Sequence, residues 1–298
     1  MFGRSATGLL ALTLAAHTAG AAQSPETFRP FDGDAYRLVN SIAFSPDGSE
    51  MYVTLFVREV LADRGQPTDG APEVGLFRAH AGSSGWSDPE LLPITGPYDS
   101  YEPSVAPDGS YMVFNSRRPW DDGRTPEVND LWLSERAGDR WAAPTRIREI
   151  TSFDFEESYP AVAANGALVY MQARAAPDGS TTHDLYHSRR VDGRFAPGER
   201  HPVSTDRWGE GDPWLSSDGR TLIYTRWDDE VGWAESVDLY ISVLRGDRWS
   251  DPVPLAELNT DGADFGVAAS ADGRWLYYKN GIRFSRVPLD ETLAPYRR

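Results

Sequence analysis

The stretch AFSPDGSEMYVT, residues 43–54, sets an Asp-Gly pair between two short runs rich in aromatic and β-branched residues. That is the sequence of a tight β-hairpin, because its turn needs a left-handed backbone that glycine adopts without a Cβ clash. The phrase returns four times: SVAPDGSYMVFNS from Ser104, AVAANGALVYMQ from Ala161, WLSSDGRTLIYT from Trp214 and VAASADGRWLYYKN from Val267. The turn residues Asp47, Asp108, Asn165, Asp218 and Asp272 stand 61, 57, 53 and 54 residues apart. A near-constant period of this length marks a repeat architecture, each copy one supersecondary unit.

A third strand follows in each unit: VGLFRA at Val74, NDLWLS at Asn129, HDLYHS at His183, VDLYIS at Val237 and NGIRFS at Asn280. A fourth begins with an aromatic near a proline, as GWSDP at Gly85, DRWAAP at Asp139, GRFAP at Gly193 and DRWSDP at Asp247. Four strands per unit is a propeller blade. The fold expected is therefore all-β, a propeller of five four-stranded blades forming a single domain over residues 23–298. The fifth unit ends in RVPLDETLAPYRR without an aromatic-proline start. A closed ring leaves no bare sheet edge, so residues 27–31 or 36–39 are expected to supply the missing outer strand.

Composition agrees with many short elements. Of 298 residues, 27 are Gly and 22 are Pro, which favours turns over long helices. The formal charge of -16 repels phosphate backbones and anionic membranes, so neither nucleic acid nor a lipid surface is an expected partner. The absence of Cys excludes disulfides, thiolate nucleophiles and Cys-ligated metals. Residues 1–22 place Arg4 before a short apolar run and then small residues, the order of a secretory signal peptide. The mature chain is expected to be periplasmic or secreted, without stable membrane insertion, and monomeric.

The phrases SPDG, APDG and SSDG, each followed by an aromatic strand, resemble the β-propeller repeat of TolB-like periplasmic proteins. The resemblance spans roughly residues 42–288 and implies the propeller fold. It implies no single function, since such propellers include protein-interaction modules, domains attached to peptidases and carbohydrate-active members. The repeat number departs from the six blades of TolB. Asp47, Asp108, Asn165, Asp218 and Asp272 carry over as architectural positions only.

Propeller geometry brings the segments leading into the innermost strands, and the links between second and third strands, to one face around the axis. The leading segments are YDSYEP at Tyr98, FEESYP at Phe155, WGEGDP at Trp208 and DGADF at Asp261. Glu102, Glu156, Glu157, Glu210, Asp212 and Asp264 can thus converge, either as a ligand site or as turn caps and a solvated acidic rim. The links contribute Arg58, Arg117, Arg118, Arg174, Arg226 and Lys279, which can pair with the acids or hold a carboxylated or phosphorylated ligand. Trp120, Trp208, Trp227 and Trp233 lie in or near them and can stack on a sugar or peptide ring. Trp86, Trp141 and Trp249 repeat at the fourth-strand starts and read as blade packing.

A glycosidase needs one carboxylic acid to protonate the leaving oxygen and another to act as nucleophile or activate water. Glu210 with Glu102 or Glu156 is the economical choice. A lyase would use an Arg to neutralise a uronate and a basic residue to abstract a proton. His183, His187 and His201 give no convincing metal spacing, and no metal site or cofactor is expected. Acid-rich turns at Asp121 and Arg226 leave structural calcium as a minor alternative. Dinucleotide, phosphate-loop, nucleophile-elbow and HExxH motifs are absent. The leading expectation is a recognition module, with Glu157, Asp212, Asp264, Arg117, Arg174, Arg226, Trp120, Trp208 and Trp227 binding a peptide, protein segment or cell-envelope glycan. A carbohydrate-active hydrolase or lyase working in the central funnel is the alternative.

Overall fold

The computed structural model describes residues 24–175 and 180–297. The expected signal peptide lies outside the described residues. Five antiparallel sheets follow one another along the chain, the first four running outward from the axis in sequence order and the fifth taking its outer strand from the start of the chain. Blade one pairs Leu38–Phe44 with Glu50–Phe56 and then Val74–Gly82. Its outer strand is broken into Gly85–Trp86 and Glu90–Leu91, both lying along the third strand. The intervening Pro89 has no amide hydrogen for the ladder, which explains the break.

Blades two, three and four repeat this plan. Their innermost strands are Ser100–Val105, Glu156–Val162 and Trp208–Leu215. Blade five joins Asp264–Ala269, Trp275–Asn280 and Arg283–Pro288, and its fourth strand is Glu26–Thr27 from the other end of the chain. The closing segment is thus the first of the two expected. Leu38 and Val39 open the innermost strand of blade one instead. Phe28 continues the seam, donating its amide to the Phe284 carbonyl at 2.8 Å and setting its ring edge-on to Tyr277 at 4.6 Å.

The hairpin turns form as their sequence requires. Asp47 accepts the Ser49 amide at 3.0 Å and the Ser45 and Ser49 hydroxyls at 2.6 and 2.7 Å, while Gly48 takes φ 71°. Those hydroxyls lower the Asp47 carboxyl to about 2. Between the blades the core is apolar, with Tyr52, Phe77, Phe114, Tyr170 and Tyr224 fully buried. The repeated fourth-strand aromatics pack there: Trp86 meets Phe44, Trp141 meets Tyr52 and Trp249 meets His201. Among the described residues no helix is long and apolar enough to cross a membrane.

Candidate axial site

Every innermost strand is bulged near its start, where its pairing register shifts. In four blades one bulge residue has positive φ: Glu102 at 55°, Tyr159 at 55°, Asp212 at 46° and Gly266 at 68°. Each stands six positions before its hairpin Asp or Asn, and the first three precede proline. A side chain in this conformation costs on the order of 1 kcal/mol and persists only where surroundings hold it. The hold comes from the preceding blade. The Glu102 amide donates to Thr54 Oγ1 at 3.2 Å, the Tyr159 amide to Asn115 Oδ1 at 3.3 Å, and the Gly266 amide to Asp212 Oδ2 at 2.6 Å.

At this end of the axis lies a cavity of about 900 Å3, walled by Glu156, Tyr159, Asp212, Thr225, Trp227 and Trp233. Innermost strands and a second-to-third link therefore meet on one face. Burial pushes the Asp212 carboxyl up to about 6, against the Gly266 hydrogen bond and the Lys279 charge, which lower it. Burial also raises Tyr159 well above the ordinary phenol range, with Glu102 and Asp212 adding to the effect. Glu156 accepts hydrogen bonds from Asn129 Nδ2 and Ser158 Oγ, both at 2.7 Å. Trp227 is held by close packing over Gly209 and Gly211, where a Cβ would press on its indole. His183 sets its ring edge-on to Trp227 at 5.2 Å, and its Nδ1 lies 3.9 Å from Asp229 Oδ1. Burial lowers His183 and raises Asp229, each opposing the charged form.

Of the residues singled out from sequence, Glu156, Asp212 and Trp227 line this cavity, and so does Trp233. Glu102 occupies the corresponding bulge of blade two and is buried. Glu157, Glu210 and Asp264 form a different repeated position, two residues before the bulge residue. Each faces a polar partner on its second strand, respectively Gln172, Arg226 and Asn280. Each also accepts an amide from the incoming loop: Ser152 to Glu157 at 3.2 Å, Thr205 to Glu210 at 3.2 Å, and Thr260 to Asp264 at 2.6 Å. Burial pushes Glu157 up to about 8 and Glu210 up to about 7, and raises Asp264. These three anchor the loops that carry the chain into its next blade.

The arginines singled out from sequence, Arg117, Arg174 and Arg226, lie elsewhere than the cavity wall. Arg226 is buried, 3.3 Å from Glu210 and over the Tyr240 ring at 4.9 Å. Arg174 reaches Tyr186 at 3.2 Å and Asp184 at 3.7 Å, and the exposed Arg117 reaches Asp99 at 3.4 Å. Trp120 is buried, donating to Asp130 and stacked under Arg146 at 3.5 Å. Trp208 is half-buried beneath Arg207 at 4.5 Å. Sequence reasoning passed over Tyr159 and Thr225, and met Asp229 only as part of the acid-rich turn after Arg226. Tyr159 was findable, since it fills the same slot before proline as Glu102 and Asp212. Among the described residues no three His, Asp or Glu side chains are grouped to hold a metal ion.

No family model matches this chain, and no curated protein matches it. Solved structures do share its architecture. MPT-4, a mannose phosphorylase from Leishmania mexicana seen with a phosphate ion, superposes with a TM-score of 0.51 at 14% identity, over 92% of this chain and 90% of its own. A thermostable family-43 glycoside hydrolase gives 0.51 at 8% identity, over 83% and 88%. The Hadza microbial sialidase Hz136 gives 0.48 at 11% identity over 82% of this chain and 53% of its own, so the chain spans about half of that protein's length. At these identities the likeness shows the propeller fold alone. No match ties the chain to the TolB-like family.

Proposed function

We propose that the chain is an exported carbohydrate-active propeller that binds a glycan in the axial cavity and hydrolyses it. One observation carries this reading. The cavity combines a buried carboxyl raised to about 6, Asp212, with a second carboxylate, Glu156, beside the aromatic walls Trp227 and Trp233. A carboxyl that keeps its proton into the mildly acid range is suited to protonate a leaving glycosidic oxygen. Glu156, oriented by Asn129 and Ser158, then takes the proton of the attacking water, and the indoles stack on the sugar. The activities of MPT-4 and the family-43 hydrolase, both carbohydrate-active on the same scaffold, lend support. Export and the TolB-like affiliation rest on the leader and repeat phrases of the sequence.

Recognition without turnover is the second reading, favoured by the commitment of Asp212 Oδ2 to the Gly266 amide. A glycan library tests both, scored for binding and for released reducing ends with wild type, Asp212→Asn and Glu156→Gln. Hydrolysis by wild type that falls roughly a hundredfold or more in both variants, with binding retained, is expected. Binding without hydrolysis selects the second reading. Failure to bind any glycan overturns both.

A further inference from the structure

We propose, resting on the glycan reading of the axial cavity, that its ligand carries a free protonated amine, as an unacetylated hexosamine unit does. The first ground is the sign of the charge on the wall. Glu156, Asp212, Asp229 and Glu230 line it, and among the described residues none of the four forms an ion pair with Lys or Arg. A fifth, Asp206, is engaged by Arg200 at 2.8 Å. The one Arg on the wall, Arg207, lies over the Trp208 ring.

The second ground is unused hydrogen-bonding capacity inside the cavity. Thr225 is fully buried and its Oγ1 has no hydrogen-bond partner. A buried hydroxyl left unpaired costs free energy unless a ligand completes it. Asp212, itself nine-tenths buried, uses only Oδ2 on the Gly266 amide. A hydroxyl able to give and accept, next to a carboxyl oxygen still unengaged, suits the hydroxyls of a sugar and leaves Asp229 and Glu230 on the same wall to take the ammonium.

The third ground is where the cations have gone. Arg226, Arg174 and Arg117 are held by Glu210, Asp184 and Asp99, and the buried Lys279 donates to the Val39 carbonyl while its charge reaches Asp212 alone of the wall carboxyls. A uronate, sialate or sugar phosphate would enter a chamber with five carboxyls on its wall and a single guanidinium, Arg207, drawn over the Trp208 ring at 4.5 Å. An ammonium gains there from the carboxylates and from the faces of Tyr159, Trp227 and Trp233. The surrounding chain, at net charge -16, raises the local concentration of cations.

Equilibrium titration of the mature protein with a glucosamine trimer, the fully N-acetylated trimer and a trigalacturonate tests this at neutral pH. The expected result is roughly tenfold or tighter binding of the glucosamine trimer over the acetylated one, the difference shrinking with added salt, and no uronate binding. Asp229→Asn and Thr225→Val, near-isosteric changes whose folding is checked by circular dichroism, should each weaken the glucosamine trimer. Equal or tighter binding of the acetylated or uronate trimer overturns the amine assignment while leaving the glycan site standing. Preference for a lysine-rich peptide, or binding indifferent to both variants, overturns it too. If no sugar of any charge binds, the glycan reading itself falls and this inference with it.

Discussion

Asp212 Oδ2 accepts the amide of Gly266 at 2.6 Å, so the positive-φ residue of blade four fastens the positive-φ residue of blade five. One carboxylate therefore links two blades and lines the axial cavity. Thr54 and Asn115 receive the corresponding amides of Glu102 and Tyr159 without being acidic. The link needs an acceptor, not an acid; the proposed hydrolysis needs the acid. Asp212→Asn can keep the link through its amide oxygen while losing the titrating group. It should change unfolding free energy by less than about 1 kcal/mol in urea titrations, yet abolish hydrolysis.

Gly209 tests the packing of the cavity wall. Its backbone is ordinary, but a methyl group would overlap the buried Trp227 indole. Gly209→Ala should destabilise by about 1–3 kcal/mol through overpacking and weaken ligand binding by displacing Trp227. Denaturant unfolding and a binding titration read the two effects.

The pH dependence follows from Glu157 and Glu210, whose pKa values rise from an ordinary 4.5 to about 8 and about 7 by burial. A raised carboxyl pKa means that the native state holds protons the unfolded chain has released. Its stabilisation is complete below 4.5 and is lost as pH rises through 7 and 8. Stability should fall over that range, and Glu157→Gln should flatten the slope. Urea midpoints at stepped pH give the measurement.

His201 produces the opposite limb. Burial, with His187 beside it, lowers His201 from 6.5 to about 3, so the native state refuses a proton that the unfolded chain accepts. Its contribution is full above 6.5 and is lost as pH falls toward 3. His201→Phe, which keeps an aromatic ring against Trp249, should reduce the acid loss of stability measured in the same way.

Closure of the ring gives a mechanical test. Phe28 is half-buried on Tyr277, and Arg286 holds Glu26 at 2.9 Å on the same seam. Phe28→Ala should cost about 2 kcal/mol. Deletion of the chain through Phe28 should bare the Arg283–Pro288 edge and promote aggregation, visible by light scattering.

The fold was legible because its signal is local and repeated. Each Asp-Gly or Asn-Gly turn needs only its own few residues, and five copies make the ring. Even the exchange of termini followed from the missing aromatic-proline phrase after Ser285. The site was legible in part, because facing depends on pairing register. Glu156 and Glu157 are adjacent, yet one lines the cavity and the other lies buried opposite Gln172. Strand alternation separates them, and only the position of the bulge says which goes where. Likewise Arg226 looks like a funnel cation in the linear sequence, but its register places it directly opposite Glu210.

The central claim is that a sugar occupies the axial cavity between Asp212, Glu156 and Trp227. A crystal structure of Asp212→Asn soaked with the tightest glycan from the library tests it directly. The account predicts sugar density against the Trp227 indole, with a glycosidic oxygen within hydrogen-bond reach of residue 212 and Glu156 facing the same linkage. Sugar seated instead at the opposite end of the axis, against Pro103 and Pro160, or on a blade edge, would contradict it.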